Sequence, residues 1–289
     1  MRAHLTDPRL MGVCEMGSSN FLTEMAQESA ERAAASNDSF TSQALDRPAF
    51  PLQLNGFDLI AEIKDRSPAE GPLANVGASR VNRALEYASG GAAAISVLTE
   101  PKRFDGQLAH LVEVVDAVSA QQIPVMRKDF LVDTVQILEA KAAGASGVLL
   151  IAAILSDTQM ESMLDCAIDN DLFVLLEVFG ETDLERAVHI SQRVEIREQA
   201  AKQKFLVGVN TRDLRTLAVD KTRLKKYGPL LPGGVTGVAE SGLLIPLDAE
   251  RVVEWGYQVA LVGTALMRAD VPAELIREML AAGREKDAA

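Results

Sequence analysis

DTVQILEAKAAGASGVLLIAA (Asp133–Ala153) carries two periodicities in succession, and the change from one to the other decides the fold. In its first half Val135, Ile137, Leu138 and Ala142 fall along one side of a helix that Asp133 caps and Gly144 ends. In its second half GVLLIAA (147–153) is apolar without alternation, as a strand is when helices cover both of its faces. A helix that delivers the chain straight into such a strand is half of a parallel βαβ unit.

Similar runs recur on either side. DLIAEI (58–63), AAISVLT (93–99) and PVMRKD (124–129) precede it, and FVLLEV (173–178), KFLVGVN (204–210), GVTGVAES (234–241) and QVALVGT (258–264) follow, which makes eight. SDTQMESMLDCAIDN (156–170) is a second crossover helix, with a capping serine and then Met160, Met163, Leu164 and Ala167. Strict alternation of strand and helix, eight times, predicts an α/β fold closed as a (β/α)8 TIM barrel. An open doubly wound sheet fits less well: no G-x-G-x-x-G follows the first strand, and charged residues end many strands rather than one switch point.

Residues 1–50 lack this rhythm and read as an N-terminal extension packed on a barrel of residues 51–289. A helix is expected over Ser18–Ser36, entered through Ser19 or Asn20, followed by a loop to Pro51; residues 1–17 are expected to be poorly ordered. ERAVHISQRVEIREQAAKQK (185–204) is long and charged for one crossover and reads as a solvated helix with an inserted turn.

Composition excludes several functions. A net charge of −12 and a pI of about 4.8 leave no footprint for nucleic acid or an anionic membrane, so any anion must be held by a local cluster of cations. Cys14 and Cys166 are far apart with no CxxC spacing, which reads as a reduced protein without disulfide or zinc. No apolar stretch approaches the roughly 20 residues needed to span a bilayer. A cytoplasmic monomer or weak homo-oligomer is expected, with no membrane and no nucleic-acid partner.

Side chains at the carboxyl ends of barrel strands converge on one pocket. Glu62 and Lys64 are two residues apart and share a face. Lys128 keeps the inward parity, while Arg127 and Asp129 face away and are expected to pair at the barrel rim. Glu177 ends an apolar strand, where desolvation is expected to raise its pKa. Asn210, Glu240 and Ser241 end the sixth and seventh strands. Two lysines among carboxylates form a proton-transfer set. Ser241 and Gly242, with Gly263 and Thr264, place small residues and backbone N–H groups where barrels of this kind bind phosphate. Arg66 is a candidate to add a cation.

With those residues in place, AEIKDRSP, AISVLTEPKRFDG, PVMRKDF, GASGVLLIAAIL, LLEV, GVNTRDL, VAESG and LVGTALM occur in order between Leu59 and Met267. In this series the chain resembles the indole-3-glycerol phosphate synthase family of tryptophan biosynthesis. The resemblance implies a (β/α)8 barrel with a helical N-terminal extension. It also implies a carboxy-lyase that closes 1-(2-carboxyphenylamino)-1-deoxyribulose 5-phosphate to indole-3-glycerol phosphate, carbon dioxide and water, with no metal or organic cofactor. Lys128 is then the general acid, Glu177 a proton carrier in dehydration, and Lys64 a carboxylate ligand or second acid. Glu62 and Asn210 orient these groups, and Ser241 completes the catalytic set. Arg66, Ser67, Phe104, Phe130, Leu149, Arg212 and Glu240 are implied to bind substrate, the aromatic and leucine residues as a wall for the anthranilate ring. The first motif departs from the family pattern at Asp65, Ala69 and Glu70, which removes a hydroxyl and lowers the local positive potential, and Thr211 replaces a more frequent asparagine or serine. These departures leave open a divergent paralogue, either non-catalytic or with an altered phosphorylated substrate; a sibling phosphate-barrel isomerase has less need of the paired lysines.

Overall fold

In β1 (Asp58–Ile63) every residue is buried, one face turned into the molecule's axis and the other against helices. The computed structural model describes residues 21–36, 40–68, 70–73, 79–212 and 219–288. After β1 comes a short antiparallel ladder, β2 (Arg66–Ser67) with β3 (Gly71–Pro72), an addition to the expected elements. The remaining strands are β4 (Ala94–Leu98), β5 (Val125–Lys128), β6 (Gly147–Ile151), β7 (Phe173–Val178), β8 (Phe205–Asn210), β9 (Thr236–Glu240) and β10 (Val259–Val262). With β1 they form a closed parallel barrel in which each pairs with the next and β10 returns to β1. The eight expected runs all appear, several trimmed by a residue or more where the chain leaves the ladder.

The helices are α1 (Phe21–Ala34), a single turn α2 (Ser42–Leu45), α3 (Arg80–Gly90), α4 (Leu108–Val118), α5 (Thr134–Ala142), α6 (Asp157–Asp169), α7 (Glu181–Ile190), α8 (Val194–Ala201), α9 (Thr222–Tyr227), α10 (Pro246–Glu254), α11 (Thr264–Arg268) and α12 (Pro272–Asp287). Among the described residues none is long and apolar enough to cross a membrane. Local chemistry explains the starts of the central crossovers. Asp133 with Gln136, and Ser156 with Gln159, make reciprocal capping boxes that satisfy otherwise orphaned N–H groups. Gly144 leaves α5 at φ 88°, a turn that a Cβ would block. The 185–204 stretch is broken near Ser191–Arg193 into α7 and α8, because Ile190 and Ile196 both bury and one straight helix would not point both inward.

Alternate residues of the strands fill two layers. Ile60, Met126, Leu149, Leu175, Leu206 and Leu261 pack inside the barrel, and Leu59, Ile95, Val148, Leu176, Val207 and Ala239 pack outward on the helices. The interior is therefore a solid floor, and polar groups gather only above it, at the carboxyl ends.

The N-terminal segment ties both ends of the barrel together. From α1, the chain passes Ser36, whose hydroxyl donates to Glu139 at 2.6 Å, and Arg47, which donates to Asp116 at 3.0 Å. At the same end as Arg47, which also reaches the Ala142 carbonyl, the Phe50 N–H donates to Ser146 Oγ at 2.9 Å and the Leu54 N–H to Gln203 at 2.9 Å. Leu52 joins the interior cluster there. Helix α1 agrees with the sequence expectation over its described length. The expected loop contains α2, capped by Thr41. The expectation for residues 1–17 lies outside the described residues, as do Cys14 and Ala69.

Candidate active site

Barrel register sets the polar groups side by side: Glu62 is opposite Ser96, Ile151 opposite Glu177, Glu177 opposite Gly208, and Asn210 opposite Glu240. All four named polar chain ends, Glu62, Glu177, Asn210 and Glu240, are buried at the base of one cleft of about 570 Å³.

Lys128 holds the centre of this cluster. Its Nζ donates to Glu177 Oε2 at 3.1 Å and lies 3.5 Å from Glu240 Oε2. Beside them Lys64 Nζ lies 2.6 Å from Glu62 Oε1, the same-face pair that parity required. Burial opposes the Lys128 charge, but the carboxylates of Glu177, Glu240 and Glu62 outweigh it and hold the ammonium protonated well above its ordinary range. Burial likewise opposes charge on Glu62, and Lys64, Lys128 and Arg212 overcome it, so this carboxyl stays below its ordinary value. A carboxyl raised by burial does occur in this cluster, at Glu240, for which the sequence carried no such expectation. Burial pushes it well above the usual range and the Glu177 carboxylate pushes the same way, against the attraction of Lys128. The cleft thus sets a captive ammonium among buried carboxyl groups, Glu62 with its pKa lowered and Glu240 with its pKa raised, which is equipment for moving protons to and from a bound molecule.

An apolar wall rises on one side. Phe130 and Leu149 are buried and Phe104 half-buried, with the Phe104 and Phe130 ring centroids 6.2 Å apart. Phe21 from α1 meets Phe130 edge-on at 5.9 Å and lines the same cleft, a residue the sequence did not single out. The wall is fixed from behind. Buried Glu100 accepts hydrogen bonds from the N–H groups of Lys102, Arg103 and Phe104 at 2.7–3.1 Å, while Lys102 and Arg103 pair with Glu28 and Glu24 of α1.

Asp129 and Arg127 do pair, at 3.4 Å, but both are buried and not at the rim. Arg127 also donates to Glu139 and the Gln136 carbonyl, and Asp129 accepts from Thr99 and from Arg32 of α1, which covers the position that would otherwise be rim.

Across the cleft, Ser241 and Gly242 follow β9 with φ of 67° and 78°, turning successive backbone groups the same way. A Cβ on Gly242 would press on Val219 and Lys221. Thr211 ties the ends of β8 and β9 by donating to the Glu240 and Ser241 carbonyls, both at 3.1 Å. Gly263 also serves the proton-transfer cluster: a Cβ there would overlap Glu62 Oε1 and approach Lys64 Nζ to 2.9 Å. Thr264 opens the short helix α11 and lines the cleft with Arg212 and Arg268. Ser67 lines it too, and the Asn210 side-chain oxygen accepts from the Arg212 N–H at 2.9 Å.

Arg66 does not join them. It follows the end of β1 by three residues, its neighbour Ser67 takes the buried side of the ladder, and its half-exposed guanidinium lies 3.8 Å from Asp105. Among the described residues the cations that line this end include Arg212, Arg268 and Lys221. Arg268 was missed although it follows the LVGTALM run directly; nothing in residue spacing tells which way a helix-end arginine turns. Asp65 is drawn off to Arg80 at 2.6 Å, whereas Glu70 points back to Thr264 and Arg268.

Comparison with known proteins agrees with this geometry. A family model described as indole-3-glycerol phosphate synthase matches residues 18–279. The chain is 41% identical over 256 residues to an indole-3-glycerol phosphate synthase of Nocardioides sp., covering 86% of this chain and 92% of that one. It is 37% identical over 278 residues to another from Mycolicibacterium vanbaalenii, covering 93% and 96%. Among solved structures, a 3-hexulose-6-phosphate synthase from Salmonella typhimurium superimposes with a TM-score of 0.60 at 14% identity, over 80% of this chain and 100% of that one. That likeness shows the barrel fold alone.

Proposed function

The chain belongs to the indole-3-glycerol phosphate synthase family, and on that premise we propose how its cleft carries out the decarboxylative ring closure. The carboxyphenylamino ring lies on Phe104, Phe130, Leu149 and Phe21, and the sugar phosphate runs toward Ser241, Gly242, Gly263 and Thr264. The ring carbon bearing the carboxylate attacks the sugar ketone carbon, and Lys128 gives a proton to the ketone oxygen as that bond forms. Carbon dioxide then leaves, its bonding electrons restoring the aromatic ring. Glu177 next removes the proton from the carbon beside nitrogen while the new hydroxyl departs as water, protonated by Lys64 or a recharged Lys128. The ring double bond of the indole is the result.

Electrostatics support these roles. An ammonium held charged by surrounding carboxylates is fully available as an acid, and the alkoxide it meets is basic enough to take the proton. Glu62 fixes Lys64, Asn210 addresses the sugar hydroxyls, Arg212 stands with Thr264 and Arg268 toward the phosphate end, and Glu240, whose pKa burial raises, stays beside Glu177. Ser67 closes the carboxylate end. The observation that carries the proposal is Lys128 Nζ at 3.1 Å from Glu177 and 3.5 Å from Glu240, at the mouth of a barrel of this family. The net charge of −12 and the separated cysteines support a cytoplasmic protein that does not bind nucleic acid, and we propose a monomer or weak homo-oligomer.

Purified chain given the carboxyphenylamino deoxyribulose phosphate is expected to develop indole-glycerol fluorescence, and to let a tryptophan auxotroph lacking this step grow. Protein that binds the substrate without ever forming product would refute the reading.

A further inference from the structure

Glu70 is set apart from the other carboxylates of the cleft, for it reaches into the anion end instead of the proton-transfer cluster. Its Oε1 accepts from Thr264 Oγ1 at 3.1 Å and lies 3.4 Å from an Arg212 Nη, and its Oε2 lies 3.0 Å from an Arg268 Nη. The Glu70 N–H donates to the Ser67 carbonyl at 3.2 Å, a turn that aims the side chain inward from between β2 and β3. One hydroxyl and two guanidinium groups, Thr264 and Arg268 from the two ends of α11 and Arg212 from beyond β8, thus converge on two oxygens of one carboxylate. The same donors would suit the oxygens of a phosphate monoester.

We infer that Glu70 is a built-in competitor for the phosphate end of the cleft: its carboxylate holds Thr264 of the phosphate cradle and the two guanidinium groups beside it, so the phosphate binds by displacing it. The inference rests on the assignment of the phosphate to Ser241, Gly242, Gly263 and Thr264. Pairing Arg212 and Arg268 with an internal carboxylate offsets the repulsion between two cations at one site. The consequence is a lower apparent affinity, in proportion to the time the carboxylate holds the donors. A second consequence is selection: a dianionic phosphate outbids a single carboxylate, whereas an unphosphorylated analogue does not, so discrimination against it grows.

Inorganic phosphate is the probe, titrated calorimetrically into the wild-type chain, Glu70→Gln, Glu70→Ala and Ser241→Asp, with thermal melting to show that each is folded. If Glu70 holds the donors about nine-tenths of the time, both Glu70 variants bind phosphate about ten-fold tighter. Glu70→Gln also lowers KM for the substrate without lowering kcat, a split that a merely structural residue would not produce. Ser241→Asp, which adds a carboxylate to the cradle without touching Glu70, binds phosphate at least about ten-fold more weakly. Unchanged or weaker phosphate binding in both Glu70 variants, with Ser241→Asp weakened, overturns the competitor role and leaves the phosphate site standing. Unchanged binding in Ser241→Asp removes the phosphate site and this inference with it.

Discussion

Gly208 and Glu240 occupy one space: a methyl group on Gly208 would overlap Glu240 Oε1. That oxygen is buried and has no hydrogen-bond partner among the described residues. Leaving a buried oxygen unpaired costs less when the group is protonated than when it is charged, which agrees with the raised pKa of Glu240. The missing side chain on β8 is what lets the acid lie between Glu177 and the barrel wall.

Gly208→Ala is therefore expected to push Glu240 toward Lys128 and Glu177. The added methyl costs about 1–3 kcal/mol of stability by overpacking, and kcat falls by more than about ten-fold because proton-transfer groups tolerate little displacement. Thermal melting and steady-state kinetics on the same preparation test both. A variant with normal kcat would show that the position of Glu240 is immaterial to turnover.

Lys128→Ala removes the acid and leaves Glu177 and Glu240 facing one another across a buried gap. A loss of about 10²–10⁴ in kcat is expected, the usual contribution of a positioned acid. Glu177→Gln keeps the shape and should bind substrate nearly as the wild type does while losing turnover. Binding measured separately from turnover decides between this and simple collapse of the site.

Opposite pKa shifts give opposite dependences of stability on pH. Glu240 keeps its proton in the folded chain at pH values where the unfolded chain has released it, from its ordinary value of 4.5 upward, so it lowers stability progressively as pH rises through that window. Glu62 has a lowered pKa, so its contribution is present above the same ordinary value of 4.5 and is lost as pH falls. Glu240→Gln should thus melt near the wild type at about pH 4 and above it at about pH 8, and Glu62→Gln should be least stable relative to the wild type at the higher pH. Parallel melting curves across this range would contradict the assignment.

Helix α1 is expected to act on substrate binding through the aromatic wall. Phe21→Ala removes an edge-on ring contact worth about 0.5–1.5 kcal/mol and should raise KM several-fold with kcat retained. Arg32→Ala takes the 2.7 Å partner from buried Asp129 and should cost about 1–3 kcal/mol of stability, since Thr99, Arg127 and the Phe130 N–H remain to hold the carboxylate. Kinetics and melting separate the two variants. An Arg32→Ala chain that melts as the wild type does would show the pair to be worth nothing.

Much of this molecule follows from local pattern. Two-residue alternation in DLIAEIK placed Glu62 and Lys64 on one side, uninterrupted apolar runs such as GVLLI required cover on both faces, and the capping residues Asp133 and Ser156 fixed where helices begin. Period and capping act over a few residues, so the barrel and the inward parity of Lys128 and Glu177 were readable without coordinates. Tertiary structure alone decided the rest. Which carboxyl in the cluster keeps a proton depends on barrel register that sets Glu240 against the bare Gly208, and on burial reached only when the ring closes. Arg66 turned out to solvent and Glu70 in to Arg268 because the loop after β1 folds back as a two-rung ladder, and no spacing rule encodes that. Where a side chain's partner is nearly 200 residues away, as Arg268 is from Glu70, the energy that orients it belongs to the assembled fold and is absent from the segment.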